Sequence, residues 1–317
     1  MKEGVSVVVP FLNETDGIDR FCKTVDEYVK SVDFPLEIVF VNDGSVDDTD
    51  KKIKSYFFRH LPSVKLIQLS RNFGFHAAVR AGLCHATYDI CTWLSVDLQE
   101  PLELIQMSYE KIVKETYDVV YVEKKSVGVS MIERAFSKTY SWLMRKYAVK
   151  NYSSGGTATI VFNKKIKEML NHNIESNSSL MLQIVDAGFR FYTLSLDYGE
   201  RVTGTSKWTL AKKIKLFIDS FVAFSFMPIR LVSIVGVIIF IIGFVLGIVT
   251  IINRILNPDV PIGYSTLASI MALGFGITNI SLGIIAEYLW RAYDAARKRP
   301  VFIVSEVMSI KEINKNE

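Results

Sequence analysis

The sequence predicts an α/β domain built on a mainly parallel sheet, followed by an amphipathic interface helix and two membrane-crossing helices. Three observations carry that expectation. Short β-branched runs alternate with helical stretches through the first part of the chain, a polar cluster follows each of the first four runs, and nearly all long uncharged stretches fall between Leu231 and Trp290.

The β-branched runs lie at residues 5–9, 36–41, 64–69, 90–94 and 119–122. Strands alternating with helices imply a mainly parallel sheet with helices on both faces. In such sheets ligands bind outside the carboxyl ends of the strands, so the residues directly after each run are the ones to inspect. They read PFLNE (10–14), NDGS (42–45), SRNFG (70–74) and SVDLQEP (95–101), polar in every case. Taken alone, Asp43-Gly44-Ser45 followed by Asp47 and Asp48 fits a turn and helix N-cap as well as a ligand site. Four such clusters at four successive strand ends are harder to attribute to turns.

A 50% hydrophobic composition and a mean hydropathy of +0.24 are too apolar for an ordinary soluble domain of 317 residues. Residues 231–252 carry no charge, and at about 1.5 Å per residue a helix of that length covers roughly the 30 Å hydrocarbon core. A second run, 264–289, is interrupted by Thr278, Asn279 and Ser281 and meets a charge only at Glu287. Lys207, Lys212, Lys213, Lys215 and Arg230 precede the first run, and Arg291, Arg297, Lys298 and Arg299 follow the second. The positive-inside rule therefore puts both flanks in the cytosol. Gly243 and Gly247 form a GxxxG pair and Asn279 is suited to bond across helices, although glycines are also simply common in membrane helices. Between the domain and the first run, Lys212, Lys213 and Lys215 alternate with Leu210, Ile214, Leu216, Phe217, Phe221 and Phe224, the pattern of a helix lying in the interface. The expected organisation is a cytosolic domain over 1–208, a juxtamembrane amphipathic helix over 209–228, a two-span anchor over 229–290 and a cytosolic tail over 291–317.

The net charge of +4 is modest and spread along the chain, which gives no case for nucleic-acid binding. Cys22, Cys84 and Cys91 are odd in number, have no metal-like spacing and sit among apolar neighbours, as expected of reduced structural cysteines in a cytosolic domain. MKEGVSVVVP has a short apolar strand but no cleavable signal peptide. His60, His76, His85 and His172 are scattered and are expected to be structural.

In this order and spacing, PFLNE, VNDGSVDDT, SRNFGFHAAVRAGL and DLQEP resemble a family 2 glycosyltransferase with the GT-A fold. RVTGTSKW, the two apolar runs and the ending ARKRPVFIV narrow the resemblance to the polyprenyl-phosphate glycosyltransferases, the group of dolichol-phosphate mannose synthase and the bacterial undecaprenyl-phosphate glucosyltransferases. The resemblance implies a plasma-membrane enzyme with its catalytic domain on the cytosolic face. It would transfer a sugar with inversion from a nucleoside diphosphate, UDP by resemblance, to polyprenyl phosphate. It also implies that Pro10, Glu14, Asp43 and Arg71 hold the nucleotide, and that Asp97 and Gln99 hold Mg²⁺ or Mn²⁺ against the diphosphate. Lys124, Arg134 and Ser137 would greet the acceptor phosphate, or form only a solvated basic face. Arg201 and Lys207 are candidates to stabilise the departing diphosphate. A homo-oligomer, a tetramer by resemblance, is implied, with PVFIV able to pair with a neighbour.

The chain departs from the family pattern at two acidic positions. Ser95 stands at the first position of the DxD motif, and Thr157, in Gly156-Thr157-Ala158-Thr159, stands where the family has the carboxylate credited as base. A phosphate monoester has a second pKa of about 6 and needs little deprotonation at neutral pH, and Mg²⁺ is commonly held by one or two carboxylates plus substrate phosphates. Catalysis is therefore still expected, with a donor sugar other than the usual glucose or mannose. The rival reading is a catalytically impaired homologue that only binds a nucleotide or a partner. A processive polysaccharide synthase would carry QxxRW and more spans, and a transporter would need an intramembrane charge pathway; the sequence has neither set of features.

Overall fold

The structure, a computed structural model, describes residues 3–124, 139, 141–146, 157–173, 179–197, 227–256 and 264–310. Contacts divide the chain into two compact units, Met1–Phe217 with Pro300–Glu317, and Ile218–Arg299.

The first unit runs β1 (Val5–Phe11), α1 (Ile18–Tyr28), β2 (Leu36–Asn42), α2 (Thr49–Ser55), β3 (Ser63–Leu69), α3 (Phe75–His85), β4 (Ile90–Trp93), α4 (Glu103–Lys114), β5 (Val119–Lys124), β6 (Thr157–Phe162), α5 (Lys164–His172), α6 (Leu180–Asp186) and β7 (Phe191–Leu196). It ends with β8 (Val304–Ser309). The sheet has eight strands in the order β7-β5-β6-β4-β1-β2-β3-β8. Among the described strands only β6 and β8 run against the rest, so the mainly parallel sheet expected from the sequence is observed.

The central strands are buried on both faces, as a parallel sheet covered by helices requires. Val7, Val9, Ile38 and Phe40 join one core with Ile18, Phe21, Cys22 and Val25 of α1 and Leu104, Ile105 and Ile112 of α4. On the other face α3 lies almost on the sheet, because a Cβ at Gly82 would come within 2.3 Å of Val8 Cγ1 and 3.1 Å of Val41 Cγ2. At the amino ends of the strands, the fully buried Glu37 carboxylate is satisfied by Ser6 Oγ at 2.6 Å, Thr87 N at 2.7 Å, Thr87 Oγ1 at 2.7 Å and the Lys65 ammonium at 2.9 Å. Burial would raise its pKa, and these bonds together hold it below the ordinary carboxylate value. The reduced Cys22 and Cys91 thiols are buried and pushed up to about 12, mainly by desolvation, which suits the structural role expected of them.

The ending was read as a strand able to pair with a neighbour. Within the chain, β8 pairs antiparallel with β3, with Leu69 opposite Val304, and Ser70 N donates to Ile303 O at 3.0 Å. β3 offers a row of unpaired backbone groups at the sheet edge, and a strand tethered in the same chain meets it at high effective concentration. The strand begins at Val304, the last residue of PVFIV, and runs to Ser309.

The second unit holds two long helices, α7 (Met227–Leu256) and α8 (Tyr264–Arg297). Both apolar runs read from the sequence are helical throughout. Among the described residues no helix is long and apolar enough to cross a membrane, and several side chains of the 231–252 run lie outside those residues. The two membrane-crossing helices are thus not established by the described residues. A Cβ at Gly243 would meet no atom within 4 Å among the described residues. Thr278 Oγ1 donates to Gly274 O at 2.9 Å and Ser281 Oγ to Ile277 O at 2.8 Å, within their own helix. The expected interface helix over 209–228 lies outside the described residues except at its last two positions, which begin α7.

Candidate active site

Strand order reverses direction at β1, whose neighbours are β2 on one side and β4 on the other. A sheet of this kind opens a crevice at the carboxyl edge beside such a switch point. The ends of β2 and β4 there lie about 10 Å apart, two strand spacings. The same edge receives the end of β3, the Lys124 end of β5, the Leu196 end of β7 and, because β6 is antiparallel, the Thr157 start of β6. Four polar loops and three further chain ends therefore share one edge.

The loops after β1, β2 and β3 are bound to one another. Asp47 accepts from Thr15 N at 3.3 Å and from Thr15 Oγ1 through one oxygen, and from Thr49 N at 3.2 Å and Thr49 Oγ1 at 2.7 Å through the other. Glu14 N donates to Thr49 Oγ1 at 3.1 Å. Asn13, with φ of 54°, adopts the left-handed region that Asn tolerates; its amide N donates to Ser45 Oγ at 3.0 Å and its Oδ1 accepts from Val46 N at 3.0 Å. Burial tends to raise the Asp47 pKa, and the Thr15 and Thr49 bonds outweigh it, holding the carboxyl below its ordinary value.

Asp43, 5% exposed, accepts from Phe73 N at 2.7 Å on Oδ1 and from Gly74 N at 2.9 Å on Oδ2. It ties the loop after β3 to the end of β2, and each oxygen keeps a lone pair for a ligand. Burial raises its pKa against the pull of those two N–H groups and the Arg71 charge. Gly44 has φ of 79°, and a Cβ there would stand 2.7 Å from Asn72 N and 2.8 Å from the Arg71 carbonyl carbon. Only glycine fits this crossing of two loops. The exposed Arg71 guanidinium stacks over the Phe73 ring at 4.1 Å and donates to Asn72 O at 3.1 Å. Pro10 lies in β1 opposite Val41, one strand from Asp43.

The loop after β4 is built differently. Leu98 N donates to Ser95 O at 3.4 Å, closing a turn whose Leu98 has φ of 52°. A leucine held there stores about 1–3 kcal/mol of backbone strain, a cost that clusters at ligand clamps and active sites. The turn folds Gln99 back, and its Nε2 donates to Asp97 Oδ2 at 2.8 Å. The amide thus presents its donor to Asp97, where an oxygen ligand was expected. Glu100 accepts from Thr159 Oγ1 of β6 at 3.4 Å on Oε1, while Oε2 is buried and has no hydrogen-bond partner among the described residues. Burial raises its pKa, and the nearby Asp97 charge adds to the rise against the N–H groups of Glu100 itself and Ser95. Among the described residues no group of three or more His, Cys, Asp or Glu side chains could hold a metal ion.

The structure therefore gathers Glu14, Asp43 and Arg71 into one bonded set of loops, and Asp97 and Gln99 into a second. Arg134, Ser137, Arg201 and Lys207 lie outside the described residues, as does the side chain of Lys124. Sequence reasoning gave no site role to Asp47, Thr15 and Thr49, although the spacing of DGSVDDT carried the signal, nor to Glu100, quoted within DLQEP. His76 is half-buried and its pKa is pushed down to about 4, by desolvation first and the Arg80 charge second, in keeping with a neutral structural histidine.

The description "Glycosyl transferase family 2" matches residues 6–176, more than half of the chain. The putative glycosyltransferase CsbB of Bacillus subtilis (strain 168) is 30% identical over 308 residues, covering 96% of this chain and 93% of its own. The prophage bactoprenol glucosyl transferase homolog of Escherichia coli (strain K12) is 31% identical over 320 residues, covering 96% and 99%. The undecaprenyl-phosphate 4-deoxy-4-formamido-L-arabinose transferase of Proteus mirabilis (strain HI4320) is 27% identical over 315 residues, covering 99% and 96%. Of solved structures, glucosyl-3-phosphoglycerate synthase from Mycobacterium tuberculosis with Mg²⁺ and UDP aligns at a TM-score of 0.48 and 15% identity, over 68% of this chain and 78% of that one. With this sheet, these strand-end loops and relatives matched along nearly their whole length, the chain belongs to glycosyl transferase family 2 and is a glycosyltransferase.

Proposed function

We propose that this enzyme transfers a sugar from a nucleoside diphosphate, UDP-linked by resemblance, to a polyprenyl phosphate at the cytosolic face of a membrane. The observation that carries the reading is the carboxyl edge of the sheet, where a hydrogen-bonded clasp of three loops adjoins a strained turn bearing Asp97 and Glu100. The names of relatives matched over their full length, undecaprenyl-phosphate transferase and bactoprenol glucosyl transferase, support the lipid acceptor.

Pro10, Glu14, Asp43 and Arg71 hold the nucleotide. A divalent cation fits the residues present, since Glu100 Oε2 is buried without a partner among the described residues and a carboxylate in that state calls for a counter-charge. Asp97 and Gln99, the latter after rotation of its amide, would hold Mg²⁺ or Mn²⁺, which when bound would neutralise the diphosphate. A phosphate oxygen of the acceptor attacks the anomeric carbon in line, the bond from that carbon to the diphosphate breaks, and the configuration inverts. Lys124, Arg134 and Ser137 orient the acceptor phosphate, and Arg201 and Lys207 stabilise the departing diphosphate. With the acceptor already dianionic, positioning carries much of the rate. The neutral Thr157 and Ser95 favour a donor sugar other than glucose or mannose.

We place α7 and α8 in the bilayer on physical grounds. Ile234, Val237, Ile238, Ile241, Ile242, Phe244 and Val245 are all exposed along α7, and a helix apolar on every side is stable only when buried in lipid or protein. The Thr278 and Ser281 hydroxyls satisfied within α8 remove the cost of carrying them into hydrocarbon. The homo-oligomer remains part of the proposal.

The test supplies membranes carrying the protein with undecaprenyl phosphate, Mg²⁺ and a panel of labelled nucleotide sugars. Label in the lipid phase from one donor, lost in Asp97→Ala, is the expected result. No lipid-linked label from any donor would contradict the acceptor assignment, and a clear preference for UDP-glucose would contradict the sugar assignment alone.

A further inference from the structure

We infer that Glu100 is the second carboxylate of the cation site beside the donor diphosphate, standing in for the acid that Ser95 lacks. The inference rests on the proposed nucleotide and cation reading of the carboxyl edge.

One oxygen of Glu100 has no partner among the described residues. A carboxylate with one buried oxygen left unpaired loses its hydration without replacement, and such groups in native structures are explained by water, an ion or a functional task. Thr159 Oγ1, at 3.4 Å, serves only Oε1 of Glu100. Thr159 is itself fully buried on β6, so Glu100 is anchored on one oxygen by the sheet and leaves the other unspent.

Ser95 and Asp97 belong to one turn, closed by the hydrogen bond from Leu98 N to Ser95 O, and Glu100 stands at its exit, bonded to Thr159 Oγ1 of β6. Glu100 follows that turn by two residues and Asp97 lies within it, so the chain itself keeps residues 95, 97 and 100 on one loop. Leu98, in the left-handed region, turns the chain just before residue 100. A hydroxyl at residue 95 supplies no negative charge, and one carboxylate would otherwise face the cation and diphosphate. Glu100, at the exit of the turn, restores the pair.

The test uses the full-length protein in detergent micelles and reads Mn²⁺ binding by electron paramagnetic resonance in the presence of saturating UDP. Glu100→Gln keeps the shape and the Thr159 contact while removing the charge. The inference expects Mn²⁺ affinity to fall about 10- to 100-fold, with melting temperature and metal-free UDP affinity unchanged. Adding Ser95→Asp to Glu100→Gln should recover most of the lost affinity, a rescue that a purely structural glutamate would not give. Wild-type Mn²⁺ affinity in Glu100→Gln, a loss that Ser95→Asp fails to restore, or absence of Mn²⁺ binding by the wild type would each overturn it. Tight Mn²⁺ and UDP binding without transfer to polyprenyl phosphate would instead sink the proposed reaction and leave the role of Glu100 intact.

Discussion

The two sides of the β1 switch point are finished to different degrees. On the β2 and β3 side, Asp47, Asp43, Thr49 and Asn13 spend their polar atoms on neighbouring loops, so the pocket wall holds its shape without a ligand. On the β4 side the turn stores strain at Leu98, pairs Gln99 with Asp97 and leaves a buried oxygen of Glu100 unmet among the described residues. The difference teaches where each kind of ligand group belongs. A neutral base and ribose need a preformed, shape-fitting wall, whereas a diphosphate and its cation bring charge that the protein holds in readiness at a local cost.

The largest expected effect lies on the unfinished side. Asp97→Ala should lower kcat/KM about a hundredfold or more, since charge stabilisation at the leaving group is the term removed. Steady-state kinetics on lipid-linked product would read it, and an effect under threefold would remove Asp97 from the site. Next comes the finished side. Gly44→Ala places a Cβ 2.7 Å from Asn72 N at φ of 79°, and should destabilise the protein by about 2 kcal/mol or more while parting the loops after β2 and β3. A thermal melt of the full-length protein would show it, and an unchanged melt would mean that the loops do not cross so closely.

A smaller effect is expected at Asp47. Asp47→Ala strips four hydrogen bonds from Thr15 and Thr49, so the donor KM should rise about tenfold with kcat changing less, at a stability cost of about 1 kcal/mol. The reverse pattern, kcat falling at constant KM, would move Asp47 out of the wall and into the chemistry. The smallest effect is in pH. The folded-state pKa of Asp47 is depressed, so its contribution to stability is present in full above the unfolded value of about 3.9 and is lost as pH falls through the lower folded value. Wild type should therefore lose more melting temperature between neutral and acid pH than Asp47→Asn does, and parallel curves would contradict that assignment.

The finished side was the more legible in the sequence. The strands through β5 followed from β-branched runs with helical stretches between them, and the polar clusters marked their ends. β6 escaped notice because TATIVF follows a glycine pair and runs against its neighbours, so no alternation with a helix announced it. β7 is an edge strand whose exposed face breaks the apolar pattern. β8 is paired by a contact across more than two hundred residues, which no local pattern encodes. The roles of Asp47 and Glu100 were illegible for a related reason. A carboxylate reads the same in the sequence whether it caps a helix, ties two loops or waits for a cation, and only its partners distinguish the three.

The most direct test of the unequal halves is calorimetric. UMP and UDP are titrated into the full-length protein with and without Mn²⁺. UMP affinity should be indifferent to the cation, and UDP affinity should rise at least about tenfold with it, a gain abolished by Asp97→Asn. A cation effect equal for both nucleotides, or none for either, would contradict the division of the carboxyl edge into a preformed nucleoside wall and a diphosphate turn completed by its ligands.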